Sequence, residues 1–236
     1  MTKALYMEDS YQKGCEATVI KVNDNKYIVL DQTIFYPNAG GQPHDTGRII
    51  KDNEVFIVDF VKKFGEDISH EVDHPGLKVG EKVTCKIDWE RRYKVMRYHT
   101  AAHLLSAILF KDTGAKITGN QLSEEKGRID FSLETFDKEK LKNYEHEFNN
   151  MVEKNLPVKT YTMPKQEAFK IASIFRLKNV IPETVNELRI IEIEGIDKQA
   201  CGGTHVKNIG EIKGITITDA VNKGKNNRRV YFILKD

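Results

Sequence analysis

Residues 89–110 read WERRYKVMRYHTAAHLLSAILF, and the texture of the chain changes there. The stretch holds no glycine or proline, and Leu104, Leu105, Ile108 and Leu109 continue an apolar face at helical spacing. It predicts one long helix, with Asp88 as a plausible N-cap. Before it, short β-rich runs dominate: ATVIKV (17–22), KYIVLD (26–31), EVFIVDFVKK (54–63) and KVTCKID (82–88). NDN at 23–25 suits a hairpin turn between the first two. Several short strands at this spacing predict a small barrel or sandwich. After the long stretch, strands and helices mix. RIDFSL (128–133), VKTYTM (158–163), LRIIEIE (188–194), IKGITITD (212–219) and RVYFILK (229–235) read as strands. DKEKLKNYEHEFNNMVEKN (137–155) reads as an amphipathic helix, and PKQEAFKIA (164–172) as a short helix with proline at its first position. The expected fold class is α+β: an N-terminal β-barrel-like domain over 1–88 and a mixed α+β domain over 89–236.

Bulk properties bound the function. Of the 236 residues, 39% are hydrophobic and 31% charged, the balance of an ordinary globular protein. The net charge of +2 creates no global field for nucleic acid, so any basic patch must be local. The cysteines are Cys15, Cys85 and Cys201, an odd number, which argues against a disulfide framework and for a reducing compartment. The N-terminus is charged throughout and reads as neither signal peptide nor anchor. No run approaches the roughly 18 apolar residues that a membrane helix needs. The expectation is a cytoplasmic protein with no membrane partner.

His99 and His103 lie one turn apart on the long helix, on one face. HxxxH alone is a weak signal. QACGGTH (199–205) adds Cys201 and His205 around two glycines, which let both side chains point the same way. Together the four offer a tetrahedral nitrogen and sulfur set suited to zinc. A buried free cysteine beside an unrelated histidine is the plainer alternative. The helix pair is HTAAH and not HExxH, so the glutamate base of the common zinc peptidases is absent. Four protein ligands suggest a closed structural site, whereas catalysis needs an open position, and spacing alone does not choose between these.

DQTIFYPNAGGQPHDTG (31–47) is a long, conformationally specified loop or an elaborate hairpin, in which Gly40 and Gly41 permit positive φ. TGNQLSEEKGRIDFS (118–132) places Asn120 and Gln121 ahead of a strand, where their amides could read a polar substrate or serve a turn. Arg91, Arg92, Lys94 and Arg97 cluster on the helix, and Lys223, Lys225, Arg228 and Arg229 in KGKNNRR (223–229). Either cluster could contact phosphates or form a solvated charged surface.

HTAAH, then GNQ and RIDF, then CGGTH resemble the editing domain of alanyl-tRNA synthetase and its relative in threonyl-tRNA synthetase. TIFYPNAGGQP narrows the resemblance to the free-standing AlaX-type editing proteins, in the medium form that keeps an N-terminal β domain. The resemblance runs from about residue 15 to the end. It implies an ATP-independent aminoacyl-tRNA deacylase acting in trans on tRNA-Ala mischarged with serine, or with glycine. It also implies one zinc per chain, held by His99, His103, Cys201 and His205. Thr33 matches a position associated with the serine hydroxyl, Gly40 and Gly41 match the glycine motif, and Gln42 follows them. Thr33, Gln42, Asn120 and Gln121 are the expected catalytic residues. Gly40, Gly41, Arg91, Arg92, Arg228 and Arg229 are the expected substrate or tRNA contacts, and a monomer is expected. Two other readings stay open: a non-enzymatic zinc-containing RNA-binding module, and a zinc hydrolase of small esters or amides that ignores tRNA.

Overall fold

Asp24 and Asn25 both take positive φ, at 50° and 55°, and turn the chain back on itself between the first two long strands. The structure, a computed structural model, describes residues 1–135, 137–171 and 186–236. It divides into two units, Met1–Val95 and Met96–Asp236, so the division falls inside the long helix rather than before it.

The first unit holds β1 (Lys3–Ala4), β2 (Gly14–Asn23), β3 (Tyr27–Leu30), β4 (Gln32–Thr33), β5 (Gly47–Lys51), β6 (Glu54–Phe64), β7 (Asp67–Val72) and β8 (Lys82–Ile87). Six of them close a barrel in the order β2-β3-β7-β6-β5-β8, and β1 pairs with β4 outside it. Inward residues fill the barrel. On β6 these are Phe56, Val58 and Val61, whose spacing changes from two to three across a register shift between Val58 and Phe60. That bulge is why the alternation read from the sequence was only partial. Gly47 sits on the seam between β5 and β8, where a Cβ would collide with the Lys86 carbonyl oxygen. The short strands β5 and β7 escaped the sequence reading, and both are needed for closure.

The long helix, α1 (Trp89–Thr113), starts where Asp88 Oδ1 accepts the N–H of Arg91 at 3.2 Å. From Met96 to Leu109 it is buried on every side, not on one face as the apolar spacing suggested. The second unit continues with β9 (Ile117–Leu122), β10 (Gly127–Phe131), α2 (Lys138–Glu153), β11 (Val158–Pro164), α3 (Lys165–Ala168), β12 (Glu187–Ile193), β13 (Asp197–Ala200), β14 (Ile215–Asn222) and β15 (Arg228–Leu234). These strands form an antiparallel sheet β14-β15-β10-β9 and a second one β11-β12-β13. Asp137 caps α2 by accepting the Glu139 N–H at 2.9 Å, and Leu141, Tyr144, Phe148 and Val152 bury its apolar stripe. Pro164 is the N-cap of α3 rather than its first residue, and that helix ends at Ala168. Ala172, the end of the helix expected there, lies outside the described residues. No described helix is long and apolar enough to cross a membrane.

Candidate metal centre

A helix buried all round must account for each polar side chain it carries. His99 and His103 do so by facing Cys201 and His205, and the four ligand atoms lie within 4.8 Å of one another. Cys201 Sγ is 3.6 Å from His99 Nε2 and 3.4 Å from His205 Nε2. The three histidines are buried and Cys201 is half-buried, so the cluster opens on the cysteine side.

Two of the three histidines have a polar group behind them. Nδ1 of His205 is 3.1 Å from the Thr100 hydroxyl, which also accepts the Val206 N–H at 3.2 Å. Nδ1 of His103 is 3.3 Å from the carboxylate of Asp197, the first residue of β13. Asp197 is itself held by the Gln199 amide at 2.8 Å. The glycine turn is pinned by Arg189 on β12, which donates to the carbonyls of Cys201 at 2.9 Å and Gly203 at 2.8 Å. Thr100, Asp197, Gln199 and Arg189 were missed in the sequence. Only Asp197 and Gln199 carry a local hint, being polar alternate positions of a strand that leads into CGGTH.

The shifts at Cys201 and His205 favour the thiolate and the neutral imidazole, the forms that bind a cation. Burial works to raise the Cys201 thiol, but His99 and His205 outweigh it and hold it well below its ordinary value. Burial, then His99, pushes His205 well below the ordinary histidine value. Burial also works to lower His103, yet Asp197 and Cys201 overcome it and lift His103 to about 9.

The other expected site residues fall as follows. Thr33 is fully buried, with its hydroxyl 2.8 Å from His70 Nε2 and accepting the Phe35 N–H at 3.1 Å. Gly40 and Gly41, at φ of 60° and 82°, form the tip of a tight turn closed by paired backbone bonds between Ala39 and Gln42. Gln42 is buried beside them. Asn120 and Gln121 lie inside β9 rather than ahead of a strand, and adjacent strand residues point to opposite faces. Asn120 pairs with the buried Ile129 and Gln121 with Arg128, so the two amides lie on opposite faces of the sheet.

The basic residues need a correction. Arg92 is fully buried, paired with Asp45 and donating to the carbonyls of Ser10 and Ile34, so it is a core ion pair and not a phosphate contact. Arg91 donates to the His44 carbonyl at 3.2 Å. Arg228 bonds Asn222 at 2.7 Å and the carbonyls of Gly224 and Asn227, bracing its own loop. Arg229 makes a bidentate pair with Asp130, at 2.7 and 2.9 Å. Lys94, Lys223 and Lys225 are exposed.

Two family models match this chain. One describes class II (A) tRNA synthetases and covers residues 5–91. The other describes the threonyl and alanyl tRNA synthetase second additional domain and covers residues 188–231, a span that includes Arg189, Asp197, Cys201 and His205. The alanyl-tRNA editing protein AlaX-M of Methanosarcina barkeri is 49% identical over 243 residues, with 100% of both chains covered. The chain belongs to the AlaX-M family. The AlaX-M protein of Saccharolobus solfataricus is 40% identical over 238 residues, again with 100% of both chains covered. An alanine–tRNA ligase of Pyrococcus furiosus is 40% identical over 222 residues, covering 92% of this chain but 24% of the ligase.

Proposed function

We propose that this protein is a trans-acting deacylase that hydrolyses tRNA-Ala mischarged with serine, or with glycine, using one zinc ion held by His99, His103, Cys201 and His205. The observation that carries the reading is the meeting of HTAAH and CGGTH in a chain that aligns end to end with alanyl-tRNA editing proteins.

The donor set supports zinc. Tetrahedral zinc, with Zn–S of about 2.3 Å and Zn–N of about 2.0–2.1 Å, separates sulfur from nitrogen by roughly 3.6 Å. The Cys201 sulfur lies 3.4 and 3.6 Å from two of the nitrogens. When bound there, zinc supplies a Lewis acid for an ester carbonyl or a bound water. The protein supplies the rest. Thr100 beside Nδ1 of His205 and the Asp197 carboxylate 3.3 Å from Nδ1 of His103 leave the opposite nitrogens of both rings toward the cluster. The three histidines close the buried side, which leaves the half-buried Cys201 side for the aminoacyl end. Asn120, on the face it shares with Ile129, is the amide better placed to meet a polar substrate, and Gln121 is exposed.

Serine selectivity is assigned to Thr33. A site that hydrogen-bonds a hydroxyl spares a substrate that lacks one, because the polar group would be left unpaired. The tRNA is gripped by local charge, with exposed Lys94, Lys223 and Lys225 as phosphate contacts and Arg228 and Arg229 shaping the loop that carries two of them. The deciding assay runs Ser-tRNA-Ala, Gly-tRNA-Ala, Ala-tRNA-Ala and free aminoacyl esters in parallel. Release of serine, with Ala-tRNA-Ala spared, supports the reading. Hydrolysis of free esters alone, or of nothing, overturns it.

A further inference from the structure

Cys15 on β2 and Cys85 on β8 stand directly opposite each other in the barrel, and both are free thiols. Two backbone bonds of the same ladder set their geometry: Ile87 N–H to Lys13 O at 3.1 Å, and Val19 N–H to Glu81 O at 2.9 Å. These mark hydrogen-bonded pairs at 13/87 and 19/81. Such pairs recur at every second residue of an antiparallel ladder, so 15/85 is one as well. Its Cα atoms are then about 5.5 Å apart, inside the roughly 4.4–6.8 Å that a disulfide spans. Directly opposite side chains share a face. Cys85 is fully buried in the barrel core, and Cys15 is half-buried and packs against that core.

We propose that Cys15 and Cys85 form a reversible oxidation site, in which a peroxide oxidises the accessible Cys15 and Cys85 resolves it to a cross-strand disulfide. The two thiols divide the roles. Cys85 is fully buried and Cys15 only half-buried, so a peroxide meets Cys15 first. The neighbouring thiols also hold Cys15 below its ordinary value and Cys85 well above its own. Cys15 is therefore the nucleophile. Its thiolate attacks one peroxide oxygen and breaks the O–O bond, giving Cys15 sulfenic acid and, with a proton, one water. The Cys85 sulfur then attacks the Cys15 sulfur. The S–S bond forms, and the sulfenic oxygen leaves with the Cys85 proton as a second water. Two thiols lose two electrons to one peroxide, and a dithiol reductant reverses the change. Disulfides in a reducing compartment are characteristically transient and redox-sensing, which fits a pair of free thiols held at bonding range. The third cysteine, Cys201, belongs to the metal cluster and takes no part.

The test is disulfide mapping of the full-length, zinc-loaded protein after treatment with a few equivalents of hydrogen peroxide. Most molecules should yield a peptide pair linked through Cys15 and Cys85, lost on adding dithiothreitol. The unfolding midpoint should rise by several degrees, since the bond closes a loop of roughly 70 residues. In Cys85→Ala, Cys15 should stop at a sulfenic acid that dimedone traps. Recovery of both wild-type residues as alkylatable thiols would overturn the proposal, as would over-oxidation of Cys15 with no linked peptide. The wild-type mapping decides the matter even if Cys85→Ala folds poorly.

Discussion

The Thr33 hydroxyl lies 2.8 Å from Nε2 of His70, while Nδ1 of the same ring lies 2.9 Å from the Ile28 carbonyl. A carbonyl only accepts, so Nδ1 carries the proton and Nε2 takes the one from Thr33. Thr33 also accepts the Phe35 N–H. One lone pair of its oxygen is left, so on the proposed reading a serine hydroxyl reaching Thr33 would have to donate to it.

Thr33→Val therefore has two expected effects. It strands His70 Nε2 in the core, which costs about 1–3 kcal/mol of stability by denaturant titration. It also removes the acceptor for serine, so serine deacylation falls by roughly 2- to 12-fold against any residual Ala-tRNA-Ala activity. Thr33→Ser, which keeps the hydroxyl, should restore the ratio. An equal loss on both substrates would make Thr33 purely structural.

His70 also sets a pH dependence. Burial lowers it from 6.5 to about 4. Between those values the unfolded chain binds a proton that the folded barrel refuses. The contribution is thus fully present above pH 6.5 and is lost as pH falls toward 4. At about 1.4 kcal/mol per pH unit the loss is about 3 kcal/mol. Denaturant midpoints measured across this window should fall with acid, and His70→Gln should flatten that slope.

Cys201→Ala and His103→Ala should each deplete bound zinc, read by metal analysis of the purified protein. Full zinc content in both variants would contradict the ligand assignment.

Asp197→Asn tests the orientation of His103 without touching a ligand. Chelator competition should show zinc bound about 10- to 100-fold more weakly, the usual effect of losing a carboxylate behind a ligand histidine. Unchanged affinity would leave Asp197 as a packing residue.

Arg92 and the lysines of the 223–229 loop should separate cleanly. Arg92→Ala leaves the buried Asp45 charge without its cation, at a cost of about 3–5 kcal/mol of stability. The double change of Lys223 and Lys225 to alanine should leave stability alone. It should weaken tRNA binding and reduce the slope of log affinity against log salt by up to about 2. An unchanged salt slope would move the tRNA footprint elsewhere, with Lys94 next to test.

By itself the sequence determined what short-range pattern controls. The absence of glycine and proline over 89–110 specified α1, the β-rich runs before it specified most of the barrel strands, and two short motifs specified all four candidate ligands. Each of those signals lies within a few residues, where helix or turn geometry dictates which side chains share a face. Tertiary structure decided the rest, because the deciding partner is far away along the chain. Arg92 reads as a surface cation until Asp45, 47 residues earlier, is found against it in the core. Thr33 reads as an available hydroxyl until His70, 37 residues later, takes its proton. Strands β9 and β13 carry too many polar residues to announce themselves, and they are strands because neighbouring strands satisfy their backbones. The cost of leaving a buried polar group unpaired selects such partners, and that cost exists only once the chain has folded.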